Sequence, residues 1–334
     1  MRAARGALQV ETVTSKILES NLPGDPHVRE LHVYTPPGYE NGTERYPVIW
    51  CLAGFTGRGR SFLNDNAWVP SINERMDALI ATGRSRPAIL ALPDCFTHLG
   101  GSQYINSEGL GRYEDHLVEE LVPLVDARYR TLGAGHRGVM GKSSGGYGAI
   151  MQGMRQPDVF AAVACHSGDM GFELCYKRDF GPALRRIRKF GGVAGWMKQF
   201  QAQPKKRTED FPALDTIAMA AAYSPNPKNP PCYCDLPFDL DTGEMLPHVW
   251  SRWLENDPLT LVDRFTKALG SLKLLFIDCG TDDEFYLDAG ARHMAKKLAA
   301  HGIKHEHEEF DDGHMNIPYR YDVSLPKLAA ALGA

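Results

Sequence analysis

The sequence predicts an α/β fold: an eight-stranded, mostly parallel sheet with helices on both faces and one long insert. Three observations carry this prediction. Apolar runs without alternation, at residues 46–52 and 87–92, suit strands covered on both faces. Stretches with helical spacing lie between such runs. The strand–helix alternation also resumes after a single interruption, which runs from Gly171 to about Glu255.

Each element follows in order. Residues 8–18, with alternating Val, Thr and Ile, read as a first strand, and residues 21–26 as a turn. Residues 28–34 alternate apolar and polar side chains, a half-exposed strand that Pro36-Pro37-Gly38 stops. The pair predicts an antiparallel hairpin at a sheet edge. The third and fourth strands, 46–52 and 87–92, flank a helix at 71–81 with Ile72, Met76, Leu79 and Ile80 on one side. A stronger helix spans 114–128, with Tyr113, Leu117, Leu121 and Val125 in one stripe; Pro123 predicts a kink inside it. A fifth strand ends at Met140, a helix-compatible run covers 148–155, and a sixth strand covers 160–165. After the interruption come a seventh strand (272–278), a helix (289–301), an eighth strand (304–310) and a closing helix (326–332).

The interruption reads as an inserted cap, residues 171–255, between the two parts of a catalytic domain, 1–170 and 256–334. It holds Trp196, Trp250 and Trp253, which either roof a pocket or pack internally. The acidic stretch 239–244 lacks the glycine position and closing glutamate of a calcium loop, so it reads as a hairpin turn. The basic run 177–189 reads as a solvated helix face.

Charge and composition narrow the function. A net charge of −4 and no basic stripe with interleaved aromatics argue against nucleic acid. No apolar run reaches membrane-span length, so no membrane partner is expected. The first six residues are basic, but Ala7-Leu8-Gln9-Val10-Glu11 is no apolar signal core, so a cytoplasmic chain is expected. The seven cysteines are odd in number, and Cys51, Cys95, Cys165 and Cys279 sit in or at the end of strand-like runs, as reduced cysteines do. Cys232 and Cys234 have no second pair nearby to complete a zinc site.

The chemistry centres on Gly141-Lys142-Ser143-Ser144-Gly145, a G-x-S-x-G sequence between a strand and a helix. That context makes it a nucleophile elbow: glycines admit the tight turn, and Ser143 projects above the strand end in a strained conformation. The N–H of Ser144 then faces the oxygen of an attacked carbonyl. A serine hydroxyl needs a base oriented by an acid, in chain order Ser, acid, His for an α/β-hydrolase. His314 follows the last strand beside Gly313 and is the base candidate; His305 and His307 lie on that strand, and His166 ends the sixth strand, where it could line the pocket. For the acid, Asp282 and Asp283 are adjacent choices and Asp278 a third. Asp283 lies farther into the loop and is preferred, with Asp282 bonding local amides of the turn. The loop after the third strand, Leu52-Ala53-Gly54-Phe55-Thr56-Gly57, should supply the second oxyanion donor, the N–H of Phe55.

These residues carry a family resemblance. Gly141-Lys142-Ser143-Ser144-Gly145-Gly146-Tyr147-Gly148-Ala149 resembles the elbow of the esterase D type of esterases. That group includes S-formylglutathione hydrolases, feruloyl and acetyl-xylan esterases, enterochelin-type esterases and the antigen 85 mycolyltransferases. Gly111-Arg112-Tyr113-Glu114-Asp115 resembles the start of a family helix, Asp278 to Phe285 its acid loop, Gly313-His314 its histidine loop and Gly54-Phe55-Thr56 its oxyanion loop. The resemblance covers about residues 30–165 and 256–330, and supports Asp283 as the acid. It implies an α/β-hydrolase fold and a serine carboxylesterase acting on a small-molecule ester, with no metal or cofactor. Two departures bear on the substrate: Lys142 stands where family elbows often carry His, and the insert is long for an S-formylglutathione hydrolase. Acyl transfer or peptide hydrolysis would use the same triad. A non-catalytic binding protein on this fold is the reading from another class, and homo-oligomerisation is left open.

Overall fold

A computed structural model describes residues 5–333. The basic residues 1–4, on which part of the targeting expectation rests, lie outside the described residues. The main sheet comprises β1 (Ala7–Thr14), β2 (Val28–Thr35), β3 (Val48–Leu52), β4 (Ile89–Pro93), β5 (Arg137–Lys142), β6 (Ala162–His166), β7 (Leu274–Gly280) and β8 (Glu306–Phe310). Their spatial order is 1-2-4-3-5-6-7-8. Only β2 runs against its neighbours; every other adjacent pair is parallel.

The apolar runs become the interior strands. Every residue of β3, β4, β6 and β7 is buried, as continuous hydrophobic sequence requires when both faces are covered. The edge strands β1 and β8 keep exposed positions. One face of the sheet packs against Tyr113–Arg128, Ser144–Arg155 and Leu287–Ala300, through side chains such as Leu121, Ile150 and Met294. The other face packs against Ile72–Ala81 and Tyr321–Leu332, through Met76, Leu79, Leu325 and Leu328. Because β5 to β8 are parallel, the loops at their carboxyl ends gather along one edge of the sheet.

Several elements differ from expectation, each for a local reason. The first strand stops at Thr14 because the Ser15 hydroxyl accepts the Leu18 N–H and donates to Glu120, bending the chain. Pro123 does not end the helical stretch, which runs on to Arg128; the turn just before it, His116–Leu121, is π-helical, a local widening of the kind that accompanies a residue unable to join the regular ladder. The basic run does form a helix, Lys177–Lys189, but it is not wholly solvated. Arg186 is buried, and its Nε donates to Asp210 Oδ1 at 2.7 Å.

Between β6 and β7 the chain forms four longer helices, Lys177–Lys189, Val193–Ala202, Phe211–Tyr223 and Pro247–Leu254. Trp196, Trp250 and Trp253 are all buried in the core on that face. Trp196 Nε1 donates to Asp210 and Trp253 Nε1 to the Ser224 hydroxyl, so these rings pack and tie helices together. The acidic turn is a hairpin turn, in which Asp239 Oδ1 accepts the N–H groups of Asp241 and Thr242 beside a Phe238–Met245 bridge. All seven cysteines are buried and unpaired.

Candidate active site

Ser143 follows the last residue of β5 and precedes the helix Ser144–Arg155. Its backbone sits at φ 60°, ψ −128°, a strained region for a residue with a side chain. Two hydrogen bonds hold it there: its N–H donates to the His166 carbonyl at 3.0 Å, and its own carbonyl accepts the Tyr147 N–H at 2.9 Å. The flanking glycines are sterically required. A Cβ on Gly145 would stand 2.0 Å from the Leu52 carbonyl oxygen, and one on Gly141 would stand 2.4 Å from the Gly145 carbonyl. These obstacles are backbone and cannot swing aside. Gly145→Ala should therefore lower stability by about 3 kcal/mol, read as a lower urea midpoint, with loss of any Ser143-dependent activity.

The loops that carry the candidate acid and base follow β7 and β8. They are stitched together by Thr281 N–H to the Phe310 carbonyl and Asp282 N–H to the Asp312 carbonyl. Gly280 permits this, because a Cβ there would lie 2.2 Å from the Asp312 oxygen. The result brings Asp283 and His314 together: Asp283 Oδ2 lies 2.8 Å from His314 Nδ1. Both side chains are buried. Burial alone would raise the Asp283 carboxyl, yet the His314 ring and the N–H groups of Phe285 and Leu287 hold it below its ordinary range. Phe285 packs edge-on to the imidazole, and Glu284 Oε2 accepts the His314 N–H at 2.6 Å. With Nδ1 engaged by a carboxylate, Nε2 is the ring nitrogen free to take a proton.

The competing candidates go elsewhere. Asp278 Oδ1 pairs with His166 Nδ1 at 2.6 Å, and His166 Nε2 meets the Ser324 hydroxyl at 2.8 Å. Both Asp278 and His166 are fully buried, and neither lines the cavity described next, so the expectation that His166 could face the pocket is corrected. Asp282 is exposed and contributes its backbone N–H, while the side chain that bonds a local amide is that of Asp283, to Phe285 N–H at 2.9 Å. His305 precedes β8, its ring turned to the Ile303 carbonyl.

Ser143, Ser144, His314 and Phe55 all line one cavity of about 320 Å³. Phe55 is clamped: a Cβ on Gly100 would lie 2.5 Å from its ring, and the Tyr104 hydroxyl donates to the carbonyl of Ala53, two residues before it, at 2.8 Å. Among the described residues, neither the Phe55 nor the Ser144 N–H donates to another group, as expected of a loop amide and a first-turn helix amide facing a cavity. The Ser144 hydroxyl donates to Asp169 Oδ2 at 3.2 Å. Lys142 also lines the cavity; burial lowers its pKa, against the pull of Asp283, Asp169 and Glu284. None of Trp196, Trp250 and Trp253 lines this cavity. The segment between β6 and β7 instead contributes Cys175, Tyr176, Phe211 and Asp215, which the sequence reading did not single out. No local motif marks them, because their positions depend on how the helices dock.

Comparison with known proteins follows this geometry. The family described as "Putative esterase" matches residues 26–327. Esterase Rv1288 of Mycobacterium tuberculosis is 23% identical over 318 residues, covering 90% of this chain and 56% of its own length. The chain thus spans about half the length of the curated relatives it matches. Among solved structures, a ferulic acid esterase superposes with a TM-score of 0.64 at 20% identity, covering 98% of this chain and 99% of its own. An S-formylglutathione hydrolase from Agrobacterium tumefaciens gives a TM-score of 0.61 at 17% identity, covering 100% and 98%. The architecture is the α/β-hydrolase fold, and no helix among the described residues is long and apolar enough to cross a membrane.

Proposed function

The chain belongs to the "Putative esterase" family, and from that premise we propose that it is a serine carboxylic-ester hydrolase working through an acyl-enzyme. The observation that carries this reading is the 2.8 Å pair of His314 and Asp283 on the same cavity as the strained Ser143. In the proposed cycle, Ser143 Oγ attacks the acyl carbonyl carbon and its proton passes to His314 Nε2. Asp283 fixes the imidazole tautomer and favours the imidazolium. The N–H groups of Phe55 and Ser144 hold the oxyanion. Collapse expels the alcohol, which takes the proton from His314. Water then attacks the acyl-enzyme, with His314 again as base, and releases the acid.

Residues 171–255 act in this proposal as a cap that completes the cavity wall through Cys175, Tyr176, Phe211 and Asp215. Its tryptophans hold the cap together from within and do not touch substrate.

Hydrolysis of p-nitrophenyl acetate tests the proposal, with Ser144→Ala as an informative variant. That change removes the hydroxyl bonded to Asp169 but keeps the backbone N–H. Activity should stay within about tenfold of wild type, because losing an oxyanion donor costs about 10²–10³. A wild-type enzyme inactive on short activated esters would count against the proposal.

A further inference from the structure

We propose that Asp215 is a specificity-determining residue, which binds a hydrogen-bond-donating group, a hydroxyl or an amine, on the ester held in the catalytic cavity. The inference rests on the serine-esterase reading and names the substrate chemistry that the site selects.

Asp215 is the one charged side chain of the helix Phe211–Tyr223, whose other residues are mostly alanine and larger apolar side chains. It is 9% exposed and lines the same cavity as Ser143 and His314. Its surroundings on that wall are Phe211, Tyr176, Cys175 and Phe285. Among the described residues, neither of its carboxyl oxygens has a hydrogen-bond or ion-pair partner. The charges that act on it, Arg178, Asp179 and Asp169, are engaged elsewhere. Arg178 pairs with Asp179 at 3.5 Å and lies over the Phe285 ring. Asp169, the other acid of the wall, is satisfied at Oδ2 by Tyr176, Gln103 and Ser144.

A carboxyl held mostly out of water, facing the cavity with no protein partner, is costly, and an apolar residue at this position would remove the cost. Its presence in the cavity makes sense when a bound molecule supplies the missing partner. Burial pushes the Asp215 carboxyl well above its ordinary range, with Asp179 and Asp169 adding to the shift and Arg178 opposing it. In the free enzyme burial therefore favours the protonated form, which has one O–H to give and a carbonyl oxygen to accept. A substrate hydroxyl matches both. A substrate amine would take the proton and leave an ion pair flanked by aromatic rings. A plain alkyl or aryl end matches neither and leaves the acid unsatisfied. A site built to bond a polar group rejects the analogue that lacks it far more strongly than it rejects a missing methylene.

The test compares kcat/KM for p-nitrophenyl hexanoate and octanoate with their ω-hydroxy and ω-amino counterparts. Hexyl acetate and ω-hydroxyhexyl acetate place the donor on the alcohol side. Wild type should favour a donor-bearing ester over its unsubstituted partner by about 10- to 100-fold in at least one pair. Asp215→Ala, in a helix already rich in alanine, should abolish that ratio and raise hydrolysis of the unsubstituted ester. Asp215→Asn separates the two donors: a hydroxyl preference survives it, whereas an amine preference is lost with the charge. Ratios near one in wild type, or equal ratios in wild type and Asp215→Ala, would overturn the inference. Ser143→Ala run on the same esters keeps the two readings apart. Hydrolysis that persists in it sinks the serine mechanism, while Ser143-dependent hydrolysis with flat ratios sinks only the role of Asp215.

Discussion

Replacing Ser143 by alanine should lower kcat on a p-nitrophenyl ester by about 10⁵–10⁶, with the fold and melting temperature retained. The size of the effect follows from the site's organisation. The strained backbone at φ 60° and the glycines at 141 and 145 exist to lift one hydroxyl over the end of β5. Alanine keeps the hydrogen bonds from the Ser143 N–H to His166 and from Tyr147 to the Ser143 carbonyl, because both are backbone bonds. The elbow therefore stays formed while the nucleophile disappears. On the proposed mechanism, residual catalysis would come from the Phe55 and Ser144 amides alone.

The second large effect is expected for Asp283→Asn, about 10⁴ in kcat, or about 5.5 kcal/mol of transition-state stabilisation. Asp283 uses one oxygen for the Phe285 N–H and the other for His314 Nδ1. An asparagine that keeps its oxygen on the Phe285 N–H must aim its NH₂ at the imidazole. That reverses the tautomer and places the proton on Nε2, the nitrogen that should receive it. Asp282→Asn, at an exposed side chain one position away, should change kcat less than about threefold, since exposed positions away from a site rarely matter. Steady-state kinetics on the two variants, side by side, separates the adjacent acids. Equal losses would mean that the acid has been misassigned.

What the sequence made legible was local. Strand length, apolar continuity and the glycines around Ser143 are short-range features, and the sheet and elbow follow from them directly. That the loops after β7 and β8 would meet was legible from chain order, because each follows its own parallel strand and such loops share one edge, but chain order alone left Asp278, Asp282 and Asp283 open as partners of His314. Partner choice across the fold was not. Asp278 and His166 each resembled a site residue by position, yet they satisfy each other in the interior. Arg186 looked like one more solvated basic residue until Asp210, from a later turn between β6 and β7, was placed beside it. Tryptophans drew attention by size, whereas the segment between β6 and β7 reaches the cavity through Asp215, Phe211, Tyr176 and Cys175. In each case the deciding partner lies on another element, beyond what periodicity within one element encodes.

The most direct test of the central claim is covalent. Wild-type protein is treated with a fluorophosphonate probe, and the adduct is located by intact mass and peptide mapping. The account predicts a single adduct on Ser143, formed slowly in Asp283→Asn and absent in Ser143→Ala. Full labelling of Ser143→Ala at another residue, with ester hydrolysis undiminished, would contradict it.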